Sequence, residues 1–108
     1  MIVIFEDKDL QELIETGSNR KYKDIARDNV LITKLIRTYN VFIHSLNIKE
    51  VATNSYLHYE KLKHTYTGLS SVRPFGNQRI ERLLFIEDED KITVKLLEID
   101  KTHYGNKK

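Results

Sequence analysis

The chain contains no cysteine, so its reactive side chains are four histidines (His44, His58, His64 and His103), the tyrosines, the carboxylates and the cations. That composition excludes a thiolate nucleophile, a disulfide framework and a thiolate zinc site. A histidine titrates near neutral pH and serves as a general acid or base. His44 sits beside Phe42 and Ile43 in a helical pattern and reads as a helix-edge residue. His58 and His64 fall on or near a strand-like segment that carries Lys61 and Lys63. His103 and Tyr104 lie in a basic tail just past the last strand-like segment, where a histidine has no evident packing duty. No pair of histidines has metal-ligand spacing backed by a carboxylate, so no metal site and no cofactor are expected. Neither a glycine-rich phosphate loop nor a nucleophile elbow is present.

Arginines supply the second chemistry. Arg73 and Arg79 bracket Phe75 across the turn Pro74-Phe75-Gly76-Asn77. Guanidinium groups in such a loop would grip a phosphate or stack on bases. Pairing with Glu81 and with the run Glu87-Asp88-Glu89-Asp90 on neighbouring strands is an equally good account of them. Arg79 and Arg82 have opposite pleat parity and would point to opposite faces of one strand.

The elements that must hold these groups follow from hydrophobic periodicity. Ile2-Val3-Ile4-Phe5 is β-branched and short, as in a buried strand. Asp7 stands as N-cap before Leu10, Leu13 and Ile14 at helical spacing, and Gly17 as the C′ residue, with Ser18 or Asn19 capping the next helix. Ile25, Ile32, Leu35, Ile36, Tyr39, Phe42, Ile43 and Leu46 predict one long amphipathic helix over about 22–45. Lys23, Arg27, Lys34 and Arg37 form its polar face. A loop with a short helical turn at 48–51 follows. Turn signals at 65–68, 74–77 and 87–90 then separate strand-like segments 56–63, 69–73, 78–86 and 92–99. Strands this close in sequence pair antiparallel. The expectation is an α+β domain of order β-α-α-β-β-β-β, helices on one face of a twisted sheet and the other face partly open.

With 108 residues, 40% of them hydrophobic and 31% charged, the chain suits one domain spanning 1–108. Its longest apolar run, 1–5, falls far short of the roughly 20 residues that cross a bilayer. The acids right after the first strand leave no signal-peptide pattern, so a cytoplasmic protein without membrane association is expected. The net charge of +2 is weak for a nucleic-acid binder, but the charge is unevenly spread. Residues 1–18 hold one lysine against five acids; 20–37 hold six cations against two acids; 59–82 hold five cations against Glu60 and Glu81. Clustered charge of this kind marks either a solvated surface or a polyanion-binding face.

The opening Met1-Ile2-Val3-Ile4-Phe5-Glu6-Asp7-Lys8-Asp9-Leu10, followed by Glu15-Thr16-Gly17-Ser18, resembles the start of HigB-type toxins, the plasmid maintenance system killer proteins of the RelE/ParE superfamily. The stretch from Leu62-Lys63-His64 through Gly68 to Ser71-Val72-Arg73 resembles that family's Leu-Lys-Gly-Asp-Leu-x-Gly-x-x-Ser-Ile-Arg hairpin. Gly76-Asn77-Gln78-Arg79-Ile80 is similar to its Gly-Asn-x-Arg strand opening, and residues 96–104 to its ending, in which an acid and a histidine close the last strand. The resemblance spans nearly the whole chain and implies the same RelE-like β-α-α-β-β-β order, with two N-terminal helices on a mainly antiparallel sheet.

It also implies a ribosome-dependent mRNA interferase that cuts mRNA in the ribosomal A site, the RNA's own 2′-hydroxyl attacking phosphorus. Such chemistry needs a base, cations for the phosphorane and an acid, and neither cysteine nor metal. On this resemblance His103 is the first choice for acid or base, Asp100 or Glu98 is the preceding acid, and Arg73 and Arg79 stabilise the phosphorane. Lys61, Lys63, His64 and Arg82 would face RNA and Tyr104 would stack on a base. The family's other histidine aligns with Glu60, His58 lies two residues earlier, and His64 occupies a glycine position, so any of the three could complete the site. Implied partners are a HigA-type helix-turn-helix antitoxin, the ribosome and mRNA, with promoter DNA bound only through the antitoxin complex. A ParE-like relative, which inhibits DNA gyrase without cleaving RNA, is the alternative.

Overall fold

A computed structural model describes residues 1–101. Strand β1 (Ile2–Phe5) leads into α1 (Lys8–Thr16) through Asp7, whose carboxylate accepts the Asp9 N–H at 2.9 Å. Leu10, Leu13 and Ile14 are the buried stripe of α1. Gly17 ends it at φ +79°, a left-handed backbone that costs a side-chain-bearing residue but not glycine, and its N–H reaches the Leu13 carbonyl at 2.8 Å. Asn19 then accepts the Tyr22 N–H at 3.1 Å and opens the next turn, as its type suggests.

The single helix expected over 22–45 is two helices. A short α2 (Lys23–Ala26) ends at Arg27, and α3 (Asn29–His44) starts afresh with Asp28 as its cap. The Asp28 carboxylate accepts the N–H groups of Val30 at 2.9 Å and Leu31 at 3.1 Å, satisfying donors at a helix start that a continuous helix would have paired internally. The break re-phases the buried stripe to Leu31, Leu35, Thr38 and Phe42. Ile32, Ile36, Tyr39 and Ile43 flank it half-buried, and Leu46, past the cap Ser45, is exposed. The short helix expected at 48–51 is α4 (Ile48–Ala52), capped by Asn47.

Strands β2 (Glu60–Lys61), β3 (Ser70–Val72), β4 (Arg82–Glu87) and β5 (Thr93–Asp100) complete a five-stranded sheet of order β1-β5-β4-β3-β2. The last four pair antiparallel in sequence and β1 joins β5 in parallel. Leu84 pairs with Glu98 but Phe85 with Leu96, so Leu97 bulges and Leu96 and Ile99 both reach the core. The strand expected over 56–63 is mostly other structure. A 3-10 turn (Ser55–Leu57) is followed by His58 at φ +51°, and only two residues pair. β4 starts at Arg82 rather than near 78, because the intervening residues form a loop.

Helices cover one face of the sheet. Leu10, Leu13, Leu35 and Phe42 pack with Leu83, Phe85, Val94 and Leu96, each effectively sealed from solvent. The Phe42 and Phe85 rings meet edge to face at 5.1 Å. Removing each such side chain from water stabilises the fold by roughly 1.5–3 kcal/mol. The opposite face is open: Ile2, Ile4 and Ile86 are exposed there. β1 is therefore a half-buried edge strand and not the buried strand its composition suggests. The α+β architecture expected from the sequence is the one found. Among the described residues no helix is long and apolar enough to cross a membrane.

Candidate functional site

The loop 73–81 between β3 and β4 gathers the arginines. Pro74 and Phe75 are buried, so the loop is pinned to the core by its middle. Gly76 turns the chain at φ +100°. The Arg73 N–H donates to the Leu57 carbonyl at 2.7 Å, and its guanidinium Nη1 donates back across the loop to the Arg79 carbonyl at 2.8 Å and the Asn77 carbonyl at 3.4 Å. Arg73 therefore braces the loop that presents Arg79.

Arg79 meets Glu81 fork to fork, Nε to Oε1 at 3.0 Å and Nη2 to Oε2 at 2.7 Å. Its guanidinium carbon stands 6.0 Å from the Phe75 ring centre. The Glu81 hydrogen bond holds Arg79 even more firmly protonated than an ordinary arginine. Burial alone would raise the Glu81 carboxyl, but the Arg79 hydrogen bond and charge outweigh it and hold the group below its usual range. Nearly half of the Arg79 side chain remains exposed. A carboxylate presented this way occupies the same planar donor fork that a phosphate would take.

Further charges surround this end of the sheet. Asp100, the last residue of β5, pairs in register with Arg82, the first of β4. Lys101 lies 3.9 Å from Asp24 of α2 and bears on Glu81, while Asp28 bears on Arg79. Arg73, Arg79, Arg82 and Asp100 thus lie at one end of the sheet. Arg82 itself is only 5% exposed, because it lies within the sheet rather than on a surface strand. The expectation that it touches RNA is corrected: a buried guanidinium reaches a ligand by its field, not by contact. Arg79 precedes β4, so the pleat-parity relation expected between Arg79 and Arg82 does not apply. His103 and Tyr104 lie outside the described residues.

A second group lies along β2 and diverges from the first. Glu60 pairs with Ser71 and is exposed; Lys63 and His64 are exposed at the start of a second 3-10 turn (His64–Tyr66). His64 has φ +61° and Gly68 φ +98°. Both positions adopt the left-handed backbone that glycine takes without cost. His58 is not on the strand, so it does not share a pleat face with Glu60.

Lys61 points elsewhere. It sits 3.6 Å from Glu87, whose side chain is only 6% exposed and accepts hydrogen bonds from the Tyr59 hydroxyl and from Ser70 Oγ at 2.6 Å. Burial and then the carboxylate acceptor push the Tyr59 phenol up to about 12, and the hydroxyl donors outweigh burial to keep the Glu87 carboxyl low. Glu87, read as the start of a turn at 87–90, is the last residue of β4 and turns its side chain inward. Its neighbours come from 17 and 28 residues away, so no local pattern announced them. Tyr22 is another such anchor: its hydroxyl donates to Asp7 at 2.9 Å and accepts the Ile99 N–H at 3.3 Å.

Among the described residues no cluster of histidine, aspartate and glutamate could hold a metal ion. No family model and no curated protein matches the sequence. Among solved structures the chain is similar to the YoeB dimer from Staphylococcus aureus, at 19% identity over 93% of this chain and 94% of that one, with a TM-score of 0.48.

Proposed function

We propose that this chain is the toxin of a type II toxin–antitoxin pair, of the RelE superfamily and HigB type, and that it cleaves mRNA in the ribosomal A site. The observation that carries this reading is Arg79: an exposed guanidinium fork, braced by Arg73 and held ready by a carboxylate that a phosphate can displace. The left-handed backbone at His64 and Gly68, where the similar hairpin has glycines, supports the resemblance independently.

In the proposed reaction a base takes the proton of the RNA 2′-hydroxyl, and the 2′-oxygen bonds to phosphorus. The bond from phosphorus to the 5′-oxygen then breaks, and an acid protonates that oxygen. The products are a 2′,3′-cyclic phosphate and a 5′-hydroxyl. Arg79 receives the charge that builds on the non-bridging oxygens, where one well-aimed donor is worth about 10²–10³ in rate. His103 is the first choice for acid or base, with Asp100 and Glu60 as the candidate carboxylates. Lys63 and His64 extend the basic edge along which RNA would lie. Tyr104 would stack on a base. A HigA-type antitoxin would silence the toxin and carry the complex to promoter DNA, all within the cytoplasm.

Induction of the chain should halt growth and leave mRNA cut within codons in a translating extract. Loss of gyrase supercoiling with intact transcripts would instead establish the ParE-like alternative. His103→Ala and Arg79→Ala should each relieve toxicity while the domain stays folded, and wild-type killing by both would remove them from the site.

A further inference from the structure

One feature of the helical layer is left out of that site. A cleft of about 220 Å³ opens between α3 and the 3-10 turn before β2, lined by Arg37, Thr38, Val41, Asn54, Tyr56 and Leu57. None of the six is acidic. Its walls are the Val41 and Leu57 side chains and the Tyr56 ring, which is 45% exposed. Among the described residues the Arg37 guanidinium has no hydrogen bond or ion pair, and neither does the Tyr56 hydroxyl. Asn54 uses its oxygen to accept the Tyr56 N–H at 3.1 Å, which leaves its amide hydrogens as donors. The cleft therefore offers an aromatic surface, an apolar wall and donors without a competing anion. At this volume it takes one planar ring system, being smaller than the roughly 300–1,000 Å³ of pockets for drug-sized ligands.

The cleft also adjoins the arginine loop. The Leu57 carbonyl accepts the Arg73 N–H, and a Cβ on Gly76 would lie 4.0 Å from the Tyr56 hydroxyl. The cleft and the arginine loop are thus joined through Leu57 and Tyr56, with Arg37 among the cleft's lining residues. We propose that this cleft is a nucleotide pocket, in which one base of single-stranded RNA stacks on Tyr56 and its phosphate meets Arg37. This gives a role to the Arg37 end of the basic stretch 20–37, and it extends the RNA-cleaving reading, on which its biological role rests. Stacking on one aromatic is sequence-tolerant, and a guanidinium reads phosphate rather than base.

The test uses the full chain and a short fluorescein-labelled single-stranded oligoribonucleotide, followed by anisotropy. Tyr56→Leu should weaken binding about 5- to 100-fold, whereas Tyr56→Phe, which keeps the ring, should bind like wild type. Arg37→Gln should lower the slope of log affinity against log salt by about 0.7. Nucleoside 5′-monophosphates should shift the magnetic resonance signals of Val41, Tyr56 and Leu57 in the wild-type chain. Wild-type affinity in Tyr56→Leu overturns the pocket, and so do still signals with monophosphates that move with an acidic peptide instead. If monophosphates shift the cleft but mRNA is not cut in a translating extract, the pocket stands and the interferase reading falls. If mRNA is cut but Tyr56→Leu binds as wild type, only the pocket falls.

Discussion

The two ends of β4 carry a glutamate each, and the two do opposite things. Glu81, just ahead of the strand, faces an arginine that is nearly half exposed. Glu87, the last residue of the strand, is buried among Tyr59, Ser70 and Lys61. Both carboxyls are held below their usual range by hydrogen-bond donors that outweigh burial. What separates them is the donor: Glu81 is held by one guanidinium that is nearly half exposed, whereas Glu87 is held by the Tyr59 and Ser70 hydroxyls from inside the sheet. An ion pair whose arginine faces solvent is open to a competing anion on that side. A sealed carboxylate with two hydroxyl donors is hard to disturb, since each hydrogen bond to a charged group is worth about 1.5–3 kcal/mol. On the proposed reading the arginine end exchanges partners, while the far end fastens the short β2 edge to the sheet.

Two substitutions should split stability from activity along that line. Arg79→Ala should lower mRNA cutting by about 10²–10³-fold, with a melting temperature within a few degrees of wild type. Comparable losses of cutting and melting temperature would make Arg79 a structural residue. Glu87→Ala should do the reverse, leaving two hydroxyls without their acceptor. It should cost about 3 kcal/mol, a fall of more than roughly 10 °C in a domain of this size, while cutting persists below the transition. An unchanged melting temperature would mean that β2 is fastened by other contacts.

The pH dependence has a sign at each end of the scale. Because the folded Glu87 carboxyl is depressed, its stabilisation is complete above the unfolded value near 4.3 and fades as pH falls through the folded value. Because the Tyr59 phenol is raised to about 12, its stabilisation is complete below about 10 and is lost as pH climbs through 12. Glu87→Gln should flatten the acid side and lower one late-titrating tyrosine in part, burial holding the rest, in a tyrosinate absorbance titration. A titration curve that does not move would remove Glu87 as a contributor. The smallest effect is expected at the other end: Glu81→Gln frees the Arg79 fork and should tighten RNA binding by up to about fivefold. Weaker binding would mean that Glu81 orients Arg79 rather than occupying it.

Features written into neighbouring residues were legible in the sequence. Asp7 and Gly17 bound α1 because capping is decided within one turn, and the arginine loop declared itself through Pro74, Gly76 and the flanking Arg73 and Arg79. Of the two accounts of the arginines, the structure contains the Arg79–Glu81 pair. The break at Asp28 was missed because the apolar spacing from Ile25 onward runs through it, although an aspartate ahead of Asn29 was a readable cap. The burial of Glu87 and Arg82 is not legible for another reason. Charged residues on a strand look exposed until the sheet brings Tyr59, Ser70 and Asp100 to them, and those partners are distant in sequence. Long-range pairing decides which charges fasten and which ones act.

The most direct measurement is to add the purified chain to a translating extract and map the ends of the mRNA at nucleotide resolution. A phosphate-binding arginine loop with acid–base assistance predicts 5′-hydroxyl and 2′,3′-cyclic phosphate ends inside codons at the ribosomal A site, dependent on translation and absent with Arg79→Ala. Intact mRNA, or identical cutting by folded Arg79→Ala, would contradict it.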